Sequence, residues 1–136
     1  MIMDRMSNML SNIKNHSMAG RTVLEIPYTK ECEAVAKVLK ERGFLEGMKI
    51  FKEVKSSAQG GKKMMRLDLI VADGTPKITV IKRISKPGRR VYMGSAKLKK
   101  VAGGFGVLVV STSRGVMSGD EAKKKKLGGE VICSVL

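Results

Sequence analysis

Ser111, Thr112, Ser113 and Arg114 follow one another and are closed by Gly115. Each hydroxyl both donates and accepts hydrogen bonds, the guanidinium is a planar fork of permanent donors, and glycine allows a positive φ or the close approach of a bulky group. That is a contact set for phosphate, sugar or base edges. The same residues also suit an ordinary strand end whose hydroxyls satisfy their own turn backbone. On the residues alone both readings stand.

Three further groups have a related chemistry. Ser85-Lys86-Pro87-Gly88-Arg89-Arg90-Val91-Tyr92 places Pro second and Gly third in a four-residue turn, the type II signature. Lys82, Arg83, Lys86, Arg89 and Arg90 crowd around it, and Tyr92 offers a ring with a polar tip. This density favours phosphate contact over a merely solvated turn. Lys123 and Lys124 open a run of four lysines; on a helix these project all round, so some reach phosphate while others stay in solvent. Lys14 and Asn15 end a predicted helix over residues 4–15. Its polar face, with Ser7, Asn8, Ser11 and Asn12, is nearly free of acids and suits either a sugar-phosphate backbone or plain solvent.

Composition supplies the context. The 136 residues carry 27 Lys and Arg against 12 Asp and Glu, a formal charge of +15, and 43% are hydrophobic, enough for a core. An excess of this size points to a polyanionic partner. Residues 1–60 hold 10 basic and 7 acidic side chains, residues 61–136 hold 17 and 5, so the second half is the expected polyanion face. Scarce aromatics and absent Trp exclude a platform of stacking rings, leaving contacts to backbone and shape.

Catalysis is not expected. The chain has no glycine-rich phosphate loop ending in Lys-Ser/Thr, no paired acids at a catalytic spacing, and one histidine, His16, without a positioned nucleophile. Cys32 and Cys133 lie a hundred residues apart, too few ligands for zinc, and fall on apolar faces as small buried hydrophobes of a reducing compartment. No catalytic residue, metal, cofactor or small-molecule substrate is expected. Neither a membrane-spanning apolar run nor a signal-peptide pattern is present, so a soluble intracellular protein is expected.

The elements that must position these groups read as an α+β protein of two small lobes. Residues 1–74 form an N-terminal α/β lobe ordered α-β-α-β-β. After the first helix comes a strand over 22–26 closed by Pro27, then a helix capped by Thr29, with Glu31 and Glu33 in its first turn and Cys32, Val35, Ala36 and Leu39 buried. Gly43 ends that helix in a left-handed conformation. Strands over 48–54 and 64–71 flank a polar, glycine-containing loop at 56–63 that is expected to be mobile, and Asp73-Gly74-Thr75-Pro76 turns into the second lobe.

Residues 75–136 form a β-rich lobe with a short helix. Ile78, Val80 and Ile84 alternate with Thr79 and Arg83 as a strand, and residues 95–101 read as a brief basic helical turn. Residues 107–110 are a buried strand leading to the hydroxyl turn. Ser118 and Glu121 have capping-box spacing at the start of the lysine helix, which Gly128 and Gly129 end, and Val131, Cys133 and Val135 alternate as the last strand.

The octapeptide at 85–92, Gly104-Phe105-Gly106 leading to Ser111-Thr112-Ser113-Arg114-Gly115-Val116-Met117, and Leu127-Gly128-Gly129-Glu130-Val131-Ile132-Cys133 together resemble small-subunit ribosomal protein eight of the bacterial type. The N-terminal half resembles it more loosely through Met9-Leu10, Ile13-Lys14-Asn15 and Val38-Leu39-Lys40-Glu41-Arg42-Gly43-Phe44. The resemblance implies a non-catalytic structural constituent of the small ribosomal subunit, which binds the central domain of 16S rRNA early in assembly and helps build the platform. It places an irregular RNA helix core against Ser111, Thr112, Ser113 and Arg114 with Tyr92 nearby, and backbone contacts at Lys14 and Asn15. It also implies neighbouring small-subunit proteins, notably those numbered five and twelve, and a cytoplasmic bacterial ribosome or an organellar one.

Two departures stand out. Ser134 follows the cysteine where many members have an aromatic, which puts a terminal aromatic contact in doubt. Residues 123–126 are more uniformly basic than the usual segment, which strengthens nonspecific electrostatics because lysine is a point charge without bidentate geometry. A general basic RNA-binding protein or chaperone is the alternative; it would need the charge but no shaped loop.

Overall fold

The computed structural model of the chain describes residues 5–53 and 62–136. Its first half alternates α1 (Arg5–Met18), β1 (Val23–Pro27), α2 (Lys30–Glu41), β2 (Leu45–Glu53) and β3 (Lys62–Leu69), in the α-β-α-β-β order read from the sequence. A two-residue hairpin, β4 (Val71–Ala72) with β5 (Thr75–Pro76), follows. The second half is β-rich: β6 (Ile81–Arg83), β7 (Tyr92–Met93), β8 (Val107–Thr112), β9 (Gly115–Ser118), the short helix α3 (Gly119–Lys124) and β10 (Gly129–Val135).

Local rules account for most of these boundaries. In α1, Met6, Met9, Leu10 and Ile13 are buried at helical spacing, and buried Ser17 continues the stripe by one more turn, so the helix outruns the apolar periodicity. The Thr29 side chain accepts the Cys32 N–H at 3.1 Å, giving α2 its cap. At the other end Gly43 adopts φ 82°, its N–H bonds the Lys40 carbonyl at 3.1 Å and Phe44 N–H bonds Leu39 at 2.8 Å, a Schellman closure that seats buried Phe44. Asp73 and Gly74, at φ 51° and 76°, supply the paired positive dihedrals that a tight hairpin turn requires.

The N-terminal sheet is antiparallel in the order β1-β3-β2, with Leu67 lying between Leu24 and Met48 and Met65 between Ile26 and Ile50. β2 starts three residues earlier than its apolar alternation indicated, because Leu45 pairs Leu69 ahead of a register irregularity. The loop expected at 56–63 falls largely outside the described residues; Lys62 and Lys63 are already strand.

In the C-terminal sheet β10 is central. β8 pairs along one side of it, with β9 beyond, and β6 and β7 share the other side. A bulge at Ile132 interrupts the ladder: Val131 opposes Val110, but Cys133 opposes Val109. Val110 and Val109 point to opposite faces, so the bulge divides the strand between two clusters. Val131 packs with Leu98, Met117 and Ala122, whereas Cys133 and Val135 join Val107 and Val109. That second group is continuous with Met9, Ile13, Val35, Leu39, Met65 and Leu67 of the N-terminal unit.

Three expectations are corrected. Val80 is 39% exposed instead of inward, because Thr79 and Val80 are held by backbone bonds to Leu136 and β6 begins only at Ile81. Residues 95–101 form no single helical turn; only Ser95–Lys97 is a 3-10 turn, and Val101 opens a separate bend to Gly104 in which Ala102 and Gly103 turn left-handed at φ 49° and 65°. Gly128 and Gly129 do not end α3. Lys126 does, at φ 57°, with its N–H on Lys123 and the Leu127 N–H on Ala122. The two glycines serve close approach: a Cβ on Gly129 would lie 2.1 Å from the Ser111 carbonyl oxygen, and one on Gly128 2.7 Å from that of Met93.

Candidate nucleic-acid interface

β8, β10 and β7 bring three side chains into one row. Ser111 pairs Glu130 on one side of β10, and Glu130 pairs Tyr92 on the other. Ser111 lies on the same face as Val109, toward the N-terminal unit, and is half-buried; Tyr92 is 70% exposed.

The Glu130 carboxylate is held from two directions. The hydroxyl of buried Ser85 donates to Oε2 at 2.7 Å while accepting the Val91 N–H at 2.9 Å, and Arg90 Nη1 lies 3.2 Å from the same oxygen. Arg83 donates Nε to the Ser85 carbonyl and Nη1 to Ser7 Oγ at 2.9 Å, which ties α1 to this edge of the sheet. Ser7 therefore belongs to the contact between units, not to a free polar face of α1.

Above Ser111 and Glu130 lies a cleft of about 340 Å³. Arg5, Thr29 and Glu31 line it from the N-terminal unit, and Arg90, Ser111 and Glu130 from the C-terminal sheet. Pro87 of the basic turn lines it as well. That turn has the expected form: Gly88 is at φ 83°, and Lys86 and Arg89 exchange backbone bonds of 3.0 and 2.9 Å. Lys86 and Arg89 are exposed at its tip, so the basic turn and the hydroxyl segment border one concavity.

The hydroxyl turn divides its labour. Thr112 Oγ1 donates to the Gly115 carbonyl at 2.8 Å and accepts the Arg114 N–H at 3.1 Å, so this hydroxyl satisfies its own turn. Ser113 and Arg114 project exposed beyond it, and Gly115 takes φ 113° as β9 begins. Of the three hydroxyls, Ser111 and Ser113 face outward chemistry while Thr112 shapes the loop.

Lys14 and Asn15 are exposed on α1. Lys14 borders a smaller hollow of about 170 Å³ with Ser7, Ser11, Ile81 and Arg83, and Arg83 is a wall of both hollows. Lys123 and Lys124 lie elsewhere. α3 packs Ala122 against Val110 and Val131, on the sheet face opposite Ser111. The structure thus joins Lys86, Arg89, Arg90, Tyr92 and residues 111–115, and sets Lys123 and Lys124 apart.

Sequence reading missed Glu130 and Ser85 as members of the site. Glu130 had one signal, an isolated acid in the otherwise acid-free stretch 122–136. Ser85 had none, since its role depends on burial and on two partners distant in the chain. Among the described residues no group of His, Cys, Asp and Glu could hold a metal ion, and no helix is long and apolar enough to cross a membrane.

Known proteins align with nearly the whole chain. The family described as Ribosomal protein S8 matches residues 4–136. The Small ribosomal subunit protein uS8 of Nitratiruptor sp. is 40% identical over 99% of both chains. Those of Alcanivorax borkumensis and Pseudomonas savastanoi are 41% and 43% identical, over 97% of this chain and 96% of theirs. The matched region takes in the cleft, the hydroxyl turn and the basic turn alike, and the chain belongs to the Ribosomal protein S8 family.

Proposed function

We propose that this chain is a structural constituent of the small ribosomal subunit that binds the central domain of 16S rRNA and helps assemble the platform, without catalysing a reaction. The name carried by its relatives supports the subunit, and the charge of +15 supports the polyanionic partner. The observation that carries the RNA reading is the Ser111–Glu130–Tyr92 row, whose Ser111 and Glu130 line the cleft with Arg90 while exposed Tyr92 stands beside it, next to the Lys86–Arg89 turn.

The division of labour is physical. Lys86, Arg89 and Arg114 release counterions and supply affinity that falls with salt. Ser111 and Ser113 reach sugar and base edges, and Tyr92 packs against an unpaired base, so an irregular helix is preferred over a regular A-form duplex. Glu130 adds discrimination: a carboxylate repels phosphate yet accepts from exocyclic amines. Lys14 and Asn15 extend the backbone contacts along α1. Residues 1–74 then act mainly as the supporting lobe and 75–136 as the RNA-binding lobe. Proteins numbered five and twelve are the expected neighbours, in a bacterial cytoplasmic ribosome or an organellar one.

Chemical footprinting on full small-subunit RNA tests this. Protection confined to one central-domain helix is expected; protection scattered over the whole molecule overturns the specific reading in favour of a general basic RNA binder.

A further inference from the structure

The cleft uses one face of the C-terminal sheet, and the opposite face carries its own charge. There α3 packs against the 3-10 turn Ser95–Lys97, and buried Leu98 meets Ala122 in the same cluster as Val110 and Val131. This packing sets two short basic segments side by side. Lys97, Lys99 and Lys100 are exposed on one, Lys123, Lys124 and Lys126 on the other. The acids close by are already engaged: Glu121 lies 3.1 Å from Lys125, and Asp120 lies 2.9 Å from Arg42.

The chemistry differs from that of the cleft. Among the described residues of these two segments the exposed, unengaged donors are lysines; Arg42 is paired to Asp120, and Tyr92 and Glu130 belong to the other site. Ammonium groups on flexible stems match a row of phosphates without reading bases, whereas base-edge recognition needs fixed donors and acceptors. A surface of this kind fits the backbone of a regular RNA helix, and its orientation away from the cleft keeps it open when the cleft is filled.

We propose that the lysine face formed by α3 and the 3-10 turn at Ser95–Lys97 is a second, sequence-independent RNA-contacting surface, which takes a duplex segment different from the one in the cleft. The protein then bridges two RNA segments, one chosen by shape and one held by charge. This rests on the reading of the cleft as an RNA site, but its test is separate.

The intact protein is saturated with an unlabelled fragment of 16S rRNA carrying the irregular central-domain helix, and a labelled regular 20-base-pair RNA duplex of unrelated sequence is titrated in at low salt. A ternary complex of one fragment, one protein and one duplex is expected. Lys123→Gln/Lys124→Gln/Lys126→Gln should weaken duplex capture at least tenfold and lower its salt slope by about two to three units, while fragment binding changes less than twofold. Circular dichroism on the triple variant checks that α3 remains folded, and Lys97→Gln/Lys100→Gln provides an independent pair on the other segment. Exclusion of the duplex by the fragment would overturn the proposal, as would full capture by both variants. So would stronger capture of polyglutamate than of RNA, which would mark an acidic protein as the occupant. Failure of the cleft reading has its own signature, a fragment bound no better than the unrelated duplex.

Discussion

Glu130 stands directly across the β8–β10 ladder from Ser111, and its carboxylate is pinned there by the buried Ser85 hydroxyl at 2.7 Å. An acid at the floor of a basic cleft works against phosphate binding and contributes only where a donor-bearing base edge is seated. Glu130→Gln keeps the shape and an acceptor but removes the charge. Its affinity for unrelated RNA should rise about three- to tenfold while the preference for the central-domain fragment falls. Competition binding at moderate salt reads both, and an unchanged ratio would remove Glu130 from the recognition role.

Two neighbouring hydroxyls should separate in mutants. Thr112→Val removes the bonds to Gly115 and Arg114 and is expected to lower folding stability by about 1 kcal/mol, seen in urea unfolding. Ser113→Ala leaves stability within about 0.5 kcal/mol but costs roughly 1–3 kcal/mol of binding to the cognate fragment only. If Ser113→Ala weakened all RNAs equally, the hydroxyl would be reading no base or sugar feature.

Gly129 and Gly88 offer a contrast in what glycine is for. Gly129→Ala forces a methyl to 2.1 Å from a backbone oxygen, and neither strand can yield without breaking the ladder beneath the site. Loss of more than about 3 kcal/mol is expected. Gly88→Ala meets nothing within 4 Å and carries only the penalty of φ 83°, about 1 kcal/mol. Thermal melts of the two variants should differ accordingly; equal melts would mean that the strands separate easily at this crossing.

Cys133 makes stability depend on alkaline pH. Burial pushes its thiol from 9.0 up to about 12, against a smaller opposing pull from the Arg83 charge. The unfolded chain therefore loses this proton first, so the contribution is complete below pH 9.0 and is lost as pH climbs toward about 12. The slope is about 1.4 kcal/mol per pH unit. Urea unfolding at pH 7, 9 and 10.5 should show the native chain losing stability faster than Cys133→Ala above pH 9.0. Parallel profiles would mean that the thiol ionises alike in both states.

What the sequence by itself determined was local. The caps at Thr29 and Ser118, the left-handed Gly43, the type II turn at Pro87–Gly88 and the hydroxyl turn all depend on a few consecutive residues and on backbone limits that hold in any surroundings. Net charge likewise needs no coordinates to name a polyanionic partner. Only the tertiary structure decided which faces these groups share. Period-two alternation puts Val131 and Cys133 on one side, and the bulge at Ile132 sends them to different clusters. Spacing made Gly128 and Gly129 a helix stop, but strand crossing is what requires them, while Lys126 closes α3. Strand pairing sets Glu130 beside Ser111 and Tyr92, and the packing of Ala122 sets Lys123 on the opposite side of the sheet. Register and layer packing arise from contacts between residues far apart in the chain, and no local pattern of side chains specifies them.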